Sequence, residues 1–457
     1  MPVPNVDELL RCLADAFERA GRHAFLVGGS VRDAMLHRMH KDVDLTTDAT
    51  PDETRAILET TRPLAVYDVG ARFGTIAAVF AVGDARIPVE ITTFRAEAYE
   101  QGSRKPKVAY GVSLLDDLAR RDFTINAMAQ ELRTGQLLDP YGGRADLEAR
   151  LVRAVGDAEE RFAEDPLRML RAVRFAVELG FRLDEPTGAA IARSADALRT
   201  ISRERVGEET NRILMSPEPG KGLRLLAELG LMRWIVPELL ALREISEGRR
   251  AKDVFEHTLR VVEHTPPDLT LRWAALLHDV GKPRTMVVED GEVHFPGHER
   301  VGEAMARQVL GSLRVDSETT ERVARLVGMH MRANQYEPTW TDGAVRRLMR
   351  EAGDELPLLL QLSSADVTSY RPQKVAAARA RVEALRARID KIAAEEEVAA
   401  LKSPLDGNEL MAMFGRPPGP WIREVKDYLL GLVLDGELRT DDKERGAELA
   451  RAFMASR

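Results

Sequence analysis

The chain has 457 residues, 44% of them hydrophobic and 31% charged, with a formal net charge of -8 and a single cysteine, Cys12. That length exceeds what one core serves, so three or four domains are expected. One cysteine excludes a disulfide framework and a cysteine metal site, the acidic sum argues mildly against general nucleic-acid binding, and no apolar run approaches a membrane span. The opening MPVPNVDELL lacks a basic stretch followed by an apolar run, so no signal peptide is expected, and the expected compartment is the cytoplasm.

Residues 6–20 carry Val6, Leu9, Leu10, Leu13 and Phe17 at the spacing of an amphipathic helix. The stretch 26–48, LVGGSVRDAMLHRMHKDVDLTTD, reads as a short apolar strand, a glycine turn, a helix start and a second strand. On that second strand Asp42 and Asp44 stand two apart, so both carboxylates leave one face. Paired carboxylates repel unless a cation sits between them, most simply Mg2+. Gly28-Gly29-Ser30 lets backbone approach a ligand, Ser30 can cap the following helix, and a helix N-terminus suits a phosphate. A phosphate cradle beside a two-carboxylate metal site equips a chain for nucleotidyl or phosphoryl transfer. Taken singly, a GGS turn and a DxD pair also occur in solvated loops and strand ends.

Thr50 caps an expected helix over Pro51–Thr60, and two strands are expected over 74–82 and 86–94. Glu90, on the second of these, is either a third carboxylate for the Asp42/Asp44 site or an exposed strand residue. Residues 95–114, with Gly102, Pro106 and Gly111, read as a mobile loop. The segment LLDDLARRDFTINAMA (114–129) reads as helical, with Arg120 and Arg121 fitting either a triphosphate or a basic surface turn. Asp139-Pro140-Tyr141-Gly142-Gly143 is a turn cluster where the first domain should end. Beyond it, EDPLRMLRAVRFAVELGF (164–181) has Asp165 at a cap position and Pro166 at the first helical position. Arg168, Arg171 and Arg174 recur every third residue on one drifting face, which a solvated basic stripe would also produce.

The blocks GGSVRD, DVD, RRDFTINAMA, DPYGG and EDPLRMLRAVRF occur in this order, joined by TTFR at 92–95, SRKPKV at 103–108 and ISRERV at 201–206. Together they resemble the class II tRNA nucleotidyltransferases, the CCA-adding enzymes, which share ancestry with bacterial poly(A) polymerases. The resemblance implies that Asp42 and Asp44 hold catalytic Mg2+, and that Gly29, Arg32 and Arg121 contact the nucleotide. It implies that Asp165 and Arg168 read the incoming base of CTP or ATP, with Arg171 and Arg174 toward the phosphates. It also implies tRNA as partner. The 95–112 loop has the length of enzymes that add the terminal A. Rival activities with the same head are poly(A) addition to general RNA, nucleotide sensing for a hydrolase, and RNA binding without catalysis.

Six of the nine histidines, His257, His264, His278, His294, His298 and His330, fall within 74 residues. With LLHDVGKP and Asp366, their spacing resembles an HD-type metal-dependent phosphohydrolase. The resemblance assigns His257, His278, Asp279 and Asp366 as the basic ligand set and His298 and His330 as further ligands, while His264 and His294 do not match. It implies hydrolysis of phosphomonoesters or 2′,3′-cyclic phosphates with a divalent transition metal (Ni, Co or Mn). In the tail, residues 371–388 hold six basic residues and one acidic, Glu383, which suits RNA backbone, a solvated helix or an intersubunit pair. Residues 405–436 resemble the family's C-terminal segment, expected to grip the tRNA elbow. The expected class is α+β: a polymerase-β-like nucleotidyltransferase head with a small mixed sheet, then a mostly α-helical neck, HD domain and tail. The expected domains are 1–142, 143–245, 246–370 and 371–457. The sequence does not set the oligomeric state.

Overall fold

The computed structural model describes residues 5–38, 43–69, 74–98, 107–110, 113–247, 252–290, 292–367, 372–400, 402–434 and 437–455. The chain divides into two compact units, 1–328 and 329–457. Among the described residues, no helix is long and apolar enough to cross a membrane.

The first unit opens with α1 (Val6–Arg19), α2 (Gly29–Met35), α3 (Pro51–Thr60) and the strands β1 (Ala24–Val27), β2 (Val43–Thr47), β3 (Ala65–Asp68), β4 (Thr75–Val82) and β5 (Ala85–Thr93). Leu9, Leu13 and Phe17 of α1 are buried, as their spacing requires. Thr50 and Glu53 form a reciprocal capping box at α3, with Pro51 in its first turn. With β8 (Ala129–Glu131) and β9 (Leu137–Leu138), these strands form a seven-stranded mixed sheet in the order β3-β4-β5-β2-β1-β8-β9. Here β2 and β5 run parallel, and β1 is antiparallel to β2. The sheet's centre is therefore the pair β2/β5, the strands that carry Asp44 and Glu90.

Two local expectations are corrected. The stretch 95–114 contains an antiparallel pair, β6 (Arg95–Ala98) with β7 (Lys107–Tyr110), in register Arg95 to Tyr110. Residues 99–106 lie outside the described residues, and with them most of SRKPKV. The segment 114–129 is not one helix. It is α4 (Leu114–Ala119), a 3-10 turn at Thr124–Asn126, and then β8. The Asp122 Oδ1 accepts from its neighbour's backbone N–H, Phe123, and from the Asn126 amide. Such local side-chain bonds compete with the helix ladder. The DPYGG cluster then braces this turn. Asp139 accepts from the Gly143 and Arg144 N–H groups, and a Cβ on Gly143 would overlap the Thr124 carbonyl.

The remaining helices of this unit are α5 (Gly143–Glu148), α6 (Ala158–Glu164), α7 (Leu167–Leu179), α8 (Glu185–Ser194), α9 (Arg203–Leu214), α10 (Pro219–Glu228), α11 (Val254–His264), α12 (Leu269–Leu277), α13 (Lys282–Thr285) and α14 (His298–Ser312). α7 is the centre of this region, with ten of its residues buried, Arg168 and Arg174 among them. α9 is tied to α12. Its Asn211 accepts from the Trp273 indole, and Arg272 of α12 donates to the Leu214 and Ser216 carbonyls. The boundary between the two units falls inside α15 (Ser317–Asn334).

The second unit continues with α16 (Asp342–Ala352), α17 (Leu356–Asp366), α18 (Pro372–Ala400), α19 (Gly407–Phe414), α20 (Pro420–Leu434) and α21 (Lys443–Ala455). The last three share a core of Leu405, Leu410, Val425, Leu429, Leu438 and Ala450. The basic helix α18 is not uniformly available to a partner, because Arg388 donates twice to Asp342 of α16.

Candidate active site

The glycine turn after β1 is built differently from the sequence expectation. Gly28 has φ +63, and a Cβ there would lie 2.8 Å from Nη1 of Arg121. Only glycine suits both the left-handed backbone and that approach. Its freedom lets α2 begin at Gly29, one residue before Ser30, and no side chain caps the helix. Ser30 is thus no cap. Its Oγ accepts from the Asp44 N–H at 2.9 Å, tying the turn to β2. Asp44 and Glu90 are register partners on parallel strands, so their side chains leave the same face. Asp42 lies outside the described residues.

The RRD block supplies the opposite wall. Asp117 of α4 is fully buried and accepts from both Arg120 and Arg121. Burial works to raise its pKa, but Arg121 and Arg120 outweigh that and hold the carboxyl below the usual carboxylate range. Next to it, Asp122 takes two hydrogen bonds from Arg171 on α7 through Oδ2, at 2.8 and 2.5 Å. Asn126, which donates to Asp122, also accepts from Arg32 at 2.8 Å. Arg32 is held further by Asp33. Burial alone would raise the Asp122 carboxyl. Arg171, the Asn126 amide and Arg168 reverse this and bring it to about 2.

That depression has a sign. Asp122 adds stability above its ordinary value of 3.8, and the contribution is lost as pH falls toward 2. The drop from 3.8 to about 2 is worth about 2 kcal/mol. We expect Asp122→Asn to be less stable than the parent by about that amount at pH 6, with the gap closing near pH 2. Denaturant titrations of both proteins between those pH values check this. A gap independent of pH would mean that the ionised carboxylate is not the source.

α7 carries the remaining cations; it begins at Leu167 with Pro166 at its N-cap, one residue later than the sequence placed it, so Asp165 is not its cap residue. Oδ1 of Asp165 accepts from the Leu167 N–H at 3.1 Å, while Oδ2 accepts from Arg205 of α9 at the same distance. The bond to the first turn of α7 and the contact with Arg205 therefore use different oxygens. Arg168 donates to the Arg120 and Arg161 carbonyls and to Glu164. Arg174, almost wholly buried, pairs with Glu209 at 2.7 Å.

These groups surround one cavity of about 700 Å3. Gly28, Gly29, Ser30, Arg32, Asp44, Arg121, Asp165, Arg168, Arg171 and Arg174 all line it. Glu90 is exposed beside Asp44 but is not among its lining residues. Six further lining residues are not among the candidates the sequence offered: Asp33, Asp122, Asn126, Phe175, Arg205 and Arg212. GGSVRD, RRDFTINAMA, EDPLRMLRAVRF and ISRERV contain five of them, so the signal lay in the blocks themselves. Eight arginines face four aspartates here, a balance suited to a polyanion of triphosphate size. The carboxylate oxygens of Asp44 and neighbouring Glu90 suit a hard cation such as Mg2+.

A second cluster lies in the HD region of the first unit. Oδ2 of Asp279 is 3.2 Å from Nε2 of His278 and 3.7 Å from Nε2 of His257, and its Oδ1 is 3.5 Å from Nε2 of His298. Nδ1 of His278 meets the Ala275 carbonyl and Nδ1 of His298 the Phe295 carbonyl. A hydrogen bond from Nδ1 to a carbonyl leaves Nε2 as the lone-pair nitrogen, the orientation a metal ligand needs. Imidazole nitrogens around a buried carboxylate fit a divalent transition metal. Lys282, not singled out from the sequence, reaches Asp279 at 2.9 Å. His264 and His294 are exposed. His330, near the end of α15, and Asp366, the last residue of α17, belong to the second unit, where Asp366 accepts from Asn334 at 2.7 Å.

Comparison with known proteins agrees with this layout. Residues 24–153 match the family model described as poly A polymerase head domain. Residues 180–242 match the probable RNA and SrmB-binding site of polymerase A, and 254–371 the HD domain. The A-adding tRNA nucleotidyltransferase of Deinococcus radiodurans is 36% identical over 449 residues, covering 94% of each chain. The CCA-adding enzyme of Geobacillus thermodenitrificans is 33% identical over 432 residues, 93% of this chain and 92% of its own. Among solved structures, the Bacillus stearothermophilus CCA-adding enzyme in complex with CTP is 28% identical with a TM-score of 0.58, covering 98% of this chain and 97% of that one. The Thermotoga maritima CCA-adding enzyme complexed with tRNA, at 19% identity and a TM-score of 0.57 over 98% and 95% of the two chains, shares the fold.

Proposed function

This chain belongs to the family of tRNA nucleotidyltransferases and poly(A) polymerases, with an HD domain behind its head, and on that premise we propose that it adds C, C and A to tRNA 3′ ends from CTP and ATP, releasing pyrophosphate. The observation that carries the reading is the arginine-lined cavity, where Asp44 and the Gly28–Ser30 turn share one space with Asp165 and Arg168. Asp42 and Asp44, with Glu90 alongside, would hold Mg2+. When bound, that metal lowers the cost of ionising the RNA 3′-hydroxyl and offsets charge on the departing pyrophosphate. Arg32, Arg121, Arg171 and Arg174 orient the triphosphate. Oδ2 of Asp165 accepts from the exocyclic amine of cytosine or adenine, and Arg168 donates to the adjacent ring nitrogen. Uracil and guanine present a carbonyl instead, which would face the carboxylate acceptor to acceptor.

Relatives named CCA-adding support the full triplet, and the relative named A-adding supports a second reading, addition of the final A alone. Transcripts ending at the discriminator base, at C and at CC, supplied with CTP and ATP separately and together, separate the two. The triplet reading expects growth from all three ends. Growth from the CC end alone means A addition, and long A tracts on unrelated RNA mean a poly(A) polymerase. With tRNA as substrate, the compartment we propose is the cytoplasm, and the basic α18 and the α19–α21 tail are its RNA-facing segments. We propose that the chain divides into head 1–142, neck 143–245, HD domain 246–370 and tail 371–457.

We propose a second activity in the HD domain, hydrolysis of phosphomonoesters and 2′,3′-cyclic phosphates. His257, His278, Asp279, His298, His330 and Asp366 would hold a divalent transition metal, Ni, Co or Mn, there. Protein loaded with each ion is expected to hydrolyse 2′,3′-cAMP and p-nitrophenyl phosphate. Asp279→Ala should lose at least about 100-fold of that rate and keep CCA addition. Inert protein with all three ions would sink this second activity.

A further inference from the structure

We propose that Phe175 is a positioning residue for nucleotide addition: its ring sets the spacing of the guanidiniums of Arg32, Arg171 and Arg174. The inference rests on the cavity being the nucleotide site. The Cζ atoms of Arg174, Arg32 and Arg171 lie 4.2, 5.2 and 5.5 Å from the centre of that one ring. Phe175 is itself 5% exposed. Phe123, fully buried, braces it edge to face, with centroids 5.7 Å apart and planes at 81°.

Three cations gathered this closely repel one another. Their acidic partners reduce the charge: Asp33 for Arg32, Asp122 for Arg171, Glu209 for Arg174. Those acids come from three separate elements, so they do not fix the distance from one guanidinium to the next. The ring is a group all three share, and its negative π face attracts cations. Arg171 stands four residues before Phe175, on the same face of α7, whereas Arg32 reaches across from α2. The ring thus locks the α2 arginine to the α7 arginines. Bidentate contact with a phosphate demands a fixed guanidinium plane, so loosening this set costs nucleotide affinity before it costs the chemical step. A leucine would fill most of the volume and lack the π face.

The test replaces Phe175, by site-specific incorporation, with mono-, di-, tri- and pentafluorophenylalanine. Shape is nearly preserved while the negative face is progressively removed. KM and kcat for CTP and ATP are then measured on tRNA. KM should climb stepwise, to about tenfold at the pentafluoro ring, with kcat within about twofold, and Phe175→Leu should match the pentafluoro variant. A KM that stays flat across the series overturns the proposal, including when Phe175→Leu alone is impaired, because that pattern reports packing. Arg32→Ala and Arg171→Ala run alongside. If they too leave KM for both nucleotides unchanged, the cavity reading beneath the proposal fails instead.

Discussion

Asp44→Ala is expected to lower nucleotide addition by on the order of 10³-fold or more, while tRNA affinity stays within about twofold and the HD hydrolase keeps its rate. The size follows from where the residue sits. β2 is a central strand, bonded to β1 on one side and β5 on the other, so the backbone cannot shift to bring a replacement ligand. The Asp44 N–H is pinned to Ser30, which keeps the carboxylate in register with the phosphate turn. Glu90 leaves the same face of the sheet, yet from the next strand it cannot occupy the Asp44 position. Single-turnover addition to a tRNA ending in CC, with filter binding of the same tRNA, separates chemistry from binding. Addition above a tenth of the parent rate would remove Asp44 from the metal-holding role.

Asp165→Ala should have the second-largest effect, on choice rather than speed. The preference for C over U and for A over G is expected to fall about 100-fold, matching the loss of one acceptor that the wrong bases cannot satisfy. The substitution also removes the hydrogen bond from the Leu167 N–H, at about 1 kcal/mol of stability. Asp165→Asn separates the two roles. Its oxygen can still accept from the Leu167 N–H, while its NH2 would stand where Oδ2 now meets Arg205. A donor at that place suits the carbonyls of uracil and guanine, so Asn is expected to keep the stability and shift selectivity toward U and G. Ratios of kcat/KM for the four nucleotides decide the matter. Should both variants retain the parent's selectivity, Asp165 serves only to hold the Leu167 N–H at the start of α7 and the base is read elsewhere.

What could be read from the sequence follows the distance over which each interaction acts. The Thr50–Glu53 capping box spans three residues, and its chemistry is visible in the string itself. The Asp44/Glu90 pairing was within reach because two short strand patterns place carboxylates at comparable positions. The Asp122–Arg171 pair spans 49 residues and the Arg32–Asn126 bond 94. No local pattern announces such partners, and in RRDFTINAMA the sequence therefore pointed to the paired arginines, whereas Asp122 anchors Arg171 of α7 and Asn126 anchors Arg32 of α2. Ser30 was misassigned for a different reason. Capping preference favours serine at the helix start, but the positive φ of Gly28 puts the cap at Gly28, two residues earlier. In the HD region the His278-Asp279 string was plain. The carbonyls of Ala275 and Phe295 that orient the rings lie only three residues from their histidines, yet backbone acceptors leave no mark in a sequence.

In the function proposed for it, this protein's own side chains, with no nucleic-acid template, decide which nucleotide is joined to tRNA. The most direct test incubates the wild-type protein with Mg2+, a tRNA transcript ending at the discriminator base, and equal concentrations of all four nucleoside triphosphates, and weighs the 3′-terminal fragments by mass spectrometry. Three increments only are expected, C, then C, then A, followed by a stop. Fragments extended by U or G at a rate comparable to C and A, or a ladder of A residues without end, would contradict it.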